Sequence, residues 1–343
     1  MMTRQQIIIS NSNNLKDIRD KSVHLIVTSP PYPMIQMWDE IFGSQDPAIF
    51  DDLNKGNGLQ AFYRMNNILN DVWSECDRVL VDGGFACINI GDATRTINDN
   101  FQLYSNHTQI INFFLSKGYS VLPDIHWRKT TNAPNKFMGS GMYPAGAYVT
   151  YEHEYILVFR KGAKRIFNNE EKIKRQKSAY FWEERNVWFS DVWDIKGASQ
   201  VINEKGINRE RNASFPLEIP YRLIQMYSIE GDYVLDPFGG LGTTSLAAML
   251  SNRNSYSVDI DESIASLAIS NLNVSAENLN KLIDKRINEH NKFISSLSQE
   301  KKDNCYYNDK MGIFVKTKQE TKIQLSKISS ISQEENTYKC EYE

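Results

Sequence analysis

The sequence has no apolar run of about 18 residues, the length that a membrane-spanning helix needs. It has only four cysteines, at positions 76, 87, 305 and 340, and none of them belongs to a C-x-x-C pair. This argues against a disulfide framework and against a zinc site, so we predict no metal. The N-terminal segment lacks the apolar stretch of a secretory signal, and we expect a cytoplasmic protein.

Acidic and basic residues nearly balance, with a net charge of −3, but they are unevenly distributed. Residues 160–211 contain 13 Lys and Arg against 8 Asp and Glu, a local balance of +5, which leaves −8 for the rest of the chain. The same segment is rich in aromatic residues and poorly periodic. We interpret it as an inserted, smaller region whose cations either face nucleic-acid phosphates or form a solvated surface.

Short apolar runs alternate with amphipathic stretches along most of the chain, which indicates a mostly parallel α/β sheet. Helices are predicted at 57–80, 104–115, 216–227 and 243–251, followed by a polar helix at 275–300. The predicted buried strands are Gln6–Ile9, Val23–Thr28, Gly84–Ile90, Tyr155–Phe159, Tyr233–Leu235 and Tyr256–Ile260.

A glycine-rich turn, D-P-F-G-G-L-G-T-T at residues 236–244, joins one of these strands to a helix. Its glycines allow a close approach of the backbone to a ligand, and Thr243 and Thr244 are placed to cap the helix. The G-K-[ST] of a phosphate loop and the strict G-x-G-x-x-G of a nicotinamide site are absent. Asp236 ends this strand and Asp259 the next, where an acid can bind ribose hydroxyls. A nucleoside-containing cofactor is therefore predicted.

Another strand runs into the sequence T-S-P-P-Y at residues 28–32. Two consecutive prolines remove two N–H donors, so carbonyls there can point outward without a local donor. The Ser29 hydroxyl adds an acceptor, and Tyr32 adds a flat ring on which a base can stack. This arrangement suits an –NH2 group whose nitrogen lone pair must be oriented; the alternative is an ordinary proline turn.

The two motifs, in this order, resemble the DNA amino-methyltransferases of the permuted beta class, which form N4-methylcytosine or N6-methyladenine. Further segments that fit the family's pattern lie at residues 83–92, 124–129, 152–162 and 214–224. The resemblance implies a doubly wound, mostly parallel, seven-stranded Rossmann-like sheet that is circularly permuted. It also implies S-adenosylmethionine as the cofactor and double-stranded DNA as the substrate.

The resemblance divides the chain into a catalytic half (1–162), a target-recognition region (163–211), a cofactor-binding half (212–274) and a C-terminal appendage of unknown role (275–343). The base pocket it implies consists of Ser29, Pro30, Pro31 and Tyr32. The implied cofactor pocket consists of Asn11, Asp236, Phe238, Gly239, Gly240, Gly242, Thr243 and Asp259. The DNA-facing cations would be Lys174, Arg175, Lys177 and Arg185, while Trp182, Trp188 and Trp193 either face DNA or pack their own core.

In such an enzyme the target nucleotide is flipped out of the duplex, and its amino nitrogen attacks the methyl group directly. The chain has no Pro-Cys pair, which a cytosine-C5 enzyme of the usual type would need. Within the family, Ser at position 29 favours cytosine N4, with adenine N6 as the alternative. The rival functions are an inactive nucleic-acid-binding protein, an RNA methyltransferase and a nicotinamide dehydrogenase. A second copy of the chain and a cognate restriction endonuclease are candidate partners, and no membrane is expected.

Overall fold

The structure is a computed structural model of the chain and describes residues 1–129, 138–197 and 215–343. Residues 198–211 of the predicted target-recognition region and the first residue of the 214–224 segment lie outside these ranges. Within the described ranges, no helix is long and apolar enough to cross a membrane.

The helices and strands that the sequence predicts are all present, with ends that differ by a few residues. The strands described are β1 Met2–Ile9, β2 Val23–Thr28, β3 Leu80–Ile90, β4 Ala93–Ile97, β5 Asn100–Tyr104, β6 Ser120–Arg128, β7 Met138–Gly139, β8 Ala147–Tyr148, β9 His153–Arg160, β10 Val192–Trp193, β11 Tyr233–Asp236, β12 Asn254–Asp259, β13 Tyr306–Asn308, β14 Ile313–Val315, β15 Ile328–Glu334 and β16 Thr337–Tyr342. The α-helices described are α1 Asp39–Gln45, α2 Ala48–Asn54, α3 Gly58–Val79, α4 Asn106–Ser116, α5 Asn169–Lys177, α6 Trp182–Trp188, α7 Glu218–Tyr227, α8 Thr243–Leu250, α9 Glu262–Leu272, α10 Ala276–Ser296 and α11 Gln299–Asp303.

A ten-stranded sheet with the order β10-β6-β9-β3-β2-β11-β12-β1-β16-β15 forms the middle of the protein. Its strands run in one direction except β9 and β16, which are antiparallel to their neighbours. The prediction of a doubly wound, mostly parallel α/β sheet is confirmed, and the seven strands from β6 to β1 correspond to it. The sequence did not predict β10 or the β15–β16 hairpin, which extend the sheet at its two edges.

Helices cover both faces of the sheet because each buries one apolar stripe against it. On one face, α3 buries Leu69, Val72 and Trp73 in a core shared with β2 and β3. On the other face, α7 and α8 bury Leu223 and Ala248 in a core shared with β2 and β11. Each large apolar side chain that is fully buried contributes about 1.5–3 kcal/mol, so the two cores together hold the strands in register.

The inserted region after β9 forms α5, α6 and β10 and packs onto the same body. Trp188 and Trp193 are buried, and Trp193 Nε1 donates a hydrogen bond to the Trp188 carbonyl at 3.1 Å. β10 pairs with β6, with Trp193 opposite Trp127. Trp193 is part of the core shared with α7 and the sheet, and Trp188 packs against Tyr221 of α7, so both are buried between the insert and the body. Trp182 is 42% exposed and stacks on Phe293 of α10.

The residues after α9 are built into the fold. β16 pairs antiparallel with β1, with Cys340 opposite Thr3, so the hairpin covers what would otherwise be an open sheet edge. Arg286 of α10 binds the Glu184 carboxylate of the insert through two nitrogens. A small apolar core joins the insert to the segment before β15, and its buried members are Phe181, Val315 and Ile323. The C-terminal segment thus braces both the sheet edge and the insert.

Candidate active site

The carboxyl ends of β2 and β11, the two strands that carry the motifs, meet at one crevice. The two strands pair in parallel, with Leu25 opposite Val234. At their ends, Thr28 Oγ1 donates a hydrogen bond to Asp236 Oδ1 at 2.6 Å. Ser29 directly follows Thr28, so the S-P-P-Y turn and the glycine-rich turn begin at adjacent points although the chain order separates them.

Asp236 is 4% exposed and accepts three hydrogen bonds. Besides the bond from Thr28, it accepts one from Thr244 Oγ1 at 2.7 Å and one from the Phe238 amide at 3.1 Å. Burial raises the pKa of Asp236 to about 6, because the ionised carboxyl loses its water. The expected capping of α8 by Thr243 and Thr244 is wrong: its N-cap is Gly242, without a side-chain hydrogen bond, and the Thr244 hydroxyl binds Asp236 instead.

The glycine-rich turn needs its glycines for close backbone contacts. A Cβ atom at Gly239 would lie 1.9 Å from Ser257 Oγ, so a larger residue does not fit between β11 and β12. Gly240 and Gly242 have φ angles of 49° and 79°, in the left-handed region that glycine adopts without strain. The turn therefore brings bare backbone to the crevice.

Asp259 ends β12 beside this turn. Its Oδ2 accepts a hydrogen bond from the Gly240 amide at 2.9 Å, and its Oδ1 accepts one from the Asp261 amide at 2.9 Å. Burial raises the pKa of this carboxyl too. Each oxygen retains a further lone pair, so the carboxylate can accept from the two hydroxyls of a ribose.

One cavity is lined by residues of both motifs. From the predicted base pocket it is lined by Ser29, Pro30, Pro31 and Tyr32. From the predicted cofactor pocket it is lined by Asn11, Asp236, Phe238, Gly239, Gly240, Thr243 and Asp259. Gly242 does not line the cavity, because it packs against Ala268 of α9. The structure thus brings together all of the predicted pocket residues but this one.

The residues present fit an adenine nucleoside cofactor. Much of the cavity wall is apolar and is formed by Trp38, Phe42, Leu69, Val72, Phe238, Ile260 and Ile264. The Phe238 ring is held edge-on by Trp73, with centroids 5.7 Å apart at an interplanar angle of 73°. An apolar cleft with exposed backbone and a carboxylate that can accept from a diol suits a flat base joined to a ribose.

A polar network supports the S-P-P-Y turn, which forms the base-pocket part of the cavity. Ser29 Oγ lies 3.0 Å from the Tyr32 hydroxyl, which donates to Glu154 Oε2 at 2.9 Å. Asn89 Nδ2 donates to the same Glu154 oxygen at 2.6 Å and to the Tyr32 hydroxyl at 2.8 Å. Lys129 forms a salt bridge with the other oxygen of Glu154. Burial, and then the charge of Glu154, raise the pKa of Tyr32 well above its ordinary value, so this phenol stays protonated.

Asn89, Glu154 and Lys129 are not among the site residues predicted from the sequence. Asn89 lies inside the apolar strand β3, and Glu154 directly precedes the apolar run of β9; they are 2% and 9% exposed. Polar groups are costly in such runs unless they are hydrogen-bonded, and this was the signal available. A second signal is Gly91 after the same strand, since a glycine there indicates a close approach of other groups. In the structure, a Cβ atom at Gly91 would lie 2.9 Å from the Tyr32 ring and 3.4 Å from Glu154 Cγ.

The four predicted DNA-facing cations lie on α5 and α6, away from this crevice. Lys174 pairs with Glu170 at 2.8 Å, and Lys177 Nζ lies 4.0 Å from Glu230. Glu230 lies three residues before β11, which begins at Tyr233. α5 therefore lies beside the amino end of β11, whereas Asp236 is at its carboxyl end. Arg175 and Arg185 lie over the rings of Phe167 and Phe189, at 4.8 and 5.9 Å from the centroids. A DNA contact by these side chains stays a prediction.

The sheet has the order and direction of a Rossmann-like enzyme, and one cavity joins the candidate cofactor pocket to the candidate base pocket. A family model described as DNA methylase matches residues 23–271. The chain belongs to this family of N6/N4 DNA methylases, and the predicted family is confirmed.

Relatives cover most of the chain. It is 49% identical over 328 residues to the Type II methyltransferase M.MthZI of Methanothermobacter thermautotrophicus, with 95% of this chain and 91% of that protein covered. It is 50% identical over 273 residues to the Type II methyltransferase M.MjaI of Methanocaldococcus jannaschii, with 76% of this chain and 89% of that protein covered.

Two solved structures show the same fold. The structure of TTHA0409, a putative DNA modification methylase of Thermus thermophilus complexed with S-adenosyl-L-methionine, matches with a TM-score of 0.59 and 28% identity, over 78% of this chain and 93% of that one. The cytosine-N4-specific PvuII DNA methyltransferase matches with a TM-score of 0.55 and 15% identity, over 83% of this chain and 94% of that one, and supports the fold alone.

Proposed function

We propose that this chain transfers the methyl group of S-adenosylmethionine to the exocyclic amino group of a flipped base in DNA, with cytosine N4 as the favoured target. The observation that carries the proposal is the cavity shared by the S-P-P-Y turn and the glycine-rich turn, joined by the Thr28–Asp236 hydrogen bond. An amino nitrogen and a methyl donor must occupy one enclosed space for direct transfer.

S-adenosylmethionine, when bound, supplies an electrophilic methyl group. Asp259 would hold the ribose, the backbone of Gly239 and Gly240 would contact the cofactor, and the apolar wall around Phe238 would take the adenine. On the acceptor side, the Ser29 hydroxyl and the Pro30 carbonyl would accept hydrogen bonds from the amino group and orient its lone pair. The Tyr32 ring would stack on the base. Positioning supplies the catalysis, and no covalent enzyme intermediate is required.

Cytosine N4 is favoured over adenine N6 because Ser occupies position 29, where family members that methylate adenine tend to have Asp or Asn. Both bases present an –NH2 group beside a ring nitrogen, so the remaining acceptors of the pocket serve either target. Adenine N6 is therefore the alternative target for the same chemistry.

A role in a restriction-modification system is part of the proposal, because the two relatives described above are named Type II methyltransferases. A cognate endonuclease would then recognise the same DNA sequence, and residues 163–211 would supply target recognition. A homodimer stays a prediction.

Transfer of tritium from labelled S-adenosylmethionine tests the proposal. We expect label in duplex DNA with the wild-type protein and none with Ser29→Ala, while the variant still binds the cofactor in calorimetry. Label in RNA instead of DNA would establish the RNA-methylating alternative. Absence of transfer from a protein that binds DNA would establish the inactive binding protein.

A further inference from the structure

Glu154 lies next to the predicted base pocket, but neither of the two motifs contains it. It sits at the start of β9, opposite Trp127 of β6 and close to Asn89 of β3. It is 9% exposed, and one of its oxygens faces Tyr32 and Asn89 while the other faces Lys129. A nearly buried carboxylate with a cationic partner and two hydrogen-bond donors is held in one defined position.

The charge of Glu154 fixes the direction of the hydrogen bonds around it, because an ionised carboxylate can only accept. The Tyr32 hydroxyl has one proton, which it donates to Glu154 at 2.9 Å. Its oxygen then accepts from Asn89 Nδ2 at 2.8 Å and faces Ser29 Oγ at 3.0 Å with a lone pair. Ser29 must therefore donate its own proton to Tyr32. Of the two lone pairs of Ser29 Oγ, one faces Asn89 Nδ2 at 3.4 Å and the other is left for the cavity.

We propose that Glu154 is a positioning residue that sets the polarity of the chain Glu154–Tyr32–Ser29, so that Ser29 presents an acceptor and not a donor to the amino group of the target base. This rests on the proposed function. With the opposite polarity, Tyr32 would donate to Ser29, and the Ser29 proton would point at the amino hydrogens it has to bind. Lys129 supports the arrangement because it keeps the carboxylate paired.

The test is Glu154→Gln, which keeps the shape of the side chain but allows its amide to donate to Tyr32. We expect kcat for methyl transfer to fall about 10-fold to 100-fold, the loss expected for a hydrogen bond of a charged group. S-adenosylmethionine affinity in calorimetry and the melting temperature should stay near the wild-type values. Glu152→Gln is the matched control, because Glu152 is exposed and lies just before β9.

A double-mutant cycle with Tyr32→Phe separates polarity from packing, because Phe keeps the ring and removes the hydroxyl that relays the effect. In the Tyr32→Phe background, Glu154→Gln should change kcat by less than about 2-fold, since the chain is already broken. An equally large loss in both backgrounds would overturn the proposal, because Glu154 would then act without Tyr32.

Glu154→Asp gives a second criterion, with kcat compared per folded protein. Asp keeps the obligatory acceptor, so it should retain more activity than Gln; an Asp variant no better than Gln would contradict the polarity role. An active wild-type protein with an unaffected Glu154→Gln variant would reject this inference alone. A wild-type protein without methyl transfer would reject the proposed function, and the inference with it.

Discussion

At the scale of single residues, Asp236 serves two purposes that make different demands. Its carboxylate ties β2 to α8 by accepting from Thr28 and Thr244, and it also lines the cavity. Its burial costs free energy when it is ionised, which its pKa of about 6 expresses. Asn would avoid this cost, but it has only one acceptor oxygen for the bonds from Thr28 and Thr244.

Asp236→Asn tests this division. The folded-state pKa of about 6 is above the ordinary 3.8, so the contribution of Asp236 to stability is fully present below pH 3.8 and is lost as the pH rises from 3.8 through 6. Asn does not titrate, so the variant does not lose this contribution. Its unfolding free energy relative to that of the wild type should therefore rise by up to about 3 kcal/mol from pH 4 to pH 7. Chemical denaturation at both pH values measures it. A difference that does not vary with pH would contradict the assignment, as would unchanged cofactor affinity.

Asp259→Ala should weaken S-adenosylmethionine binding about 10-fold to 100-fold, because a carboxylate hydrogen bond of about 1.5–3 kcal/mol is lost. Calorimetry measures the affinity, and the exposed Glu262→Ala on the first turn of α9 is the control. If the two variants bind the cofactor equally well, Asp259 does not hold the ribose.

The residues that the sequence could reveal are those in contiguous motifs, such as Ser29 and Asp259, because each motif combines a strand end with a turn. Glu154 and Asn89 could not be assigned in this way. Their roles depend on β9 lying antiparallel beside β3, and no local pattern states which strands pair. The role of Lys129 likewise depends on β6 being the neighbour of β9 in the sheet.

At the scale of elements, α6 and α10 hold the insert onto the body through buried charges. His290 of α10 places Nδ1 2.6 Å from Glu183 and Nε2 2.8 Å from the Phe314 carbonyl. Both partners are acceptors, so both ring nitrogens carry protons. Burial lowers the pKa of His290, but the bond to Glu183 and the nearby charge of Glu320 outweigh this and raise it above 6.5.

His290→Gln is therefore expected to remove a pH dependence of stability. In the wild type, the His290–Glu183 pair stabilises fully below pH 6.5, and this stabilisation is lost as the pH rises through the higher folded-state pKa. Unfolding free energies measured between pH 6 and about pH 9 should fall more steeply in the wild type than in the variant. The exposed His126→Gln serves as the control, and identical slopes in all three proteins would refute the charged pair.

Simultaneous replacement of Lys174, Arg175 and Lys177 by Gln tests whether α5 contacts DNA despite its place at the amino end of β11. If it does, DNA affinity falls and the slope of log K against log salt flattens by roughly 0.9 per lost phosphate contact, while cofactor affinity is unchanged. Replacement of Lys281, Lys285 and Lys292 on α10 removes the same charge elsewhere. If the two triple variants have equal salt slopes, the cations of α5 do not contact DNA phosphates, and Lys174 and Lys177 only pair with Glu170 and Glu230.

The long elements were predictable because their apolar spacing persists over several turns, as in α3. The pieces that extend the sheet were not. β10 has only two residues, Val192 and Trp193, and β15 is largely exposed and polar. Both become strands because an existing edge pairs with them, which is a tertiary effect and not a local preference.

At the scale of the whole molecule, the chain order is permuted, but the crevice is assembled as if the two halves were adjacent. The S-P-P-Y turn after β2 and the glycine-rich turn after β11 lie at the same carboxyl end of the sheet. The β15–β16 hairpin covers the lateral edge of the sheet beside β1. The central claim, methylation of an exocyclic amino group in DNA, depends on this convergence.

Mass spectrometry of nucleosides from DNA incubated with the protein and S-adenosylmethionine tests that claim most directly. We expect N4-methylcytosine with the wild-type protein and no methylated product with Ser29→Ala. N6-methyladenine would overturn the choice of base and leave the amino-methyltransferase mechanism intact. Methylation at cytosine C5 would contradict the account itself, because transfer to carbon does not use the amino-group pocket that the structure builds.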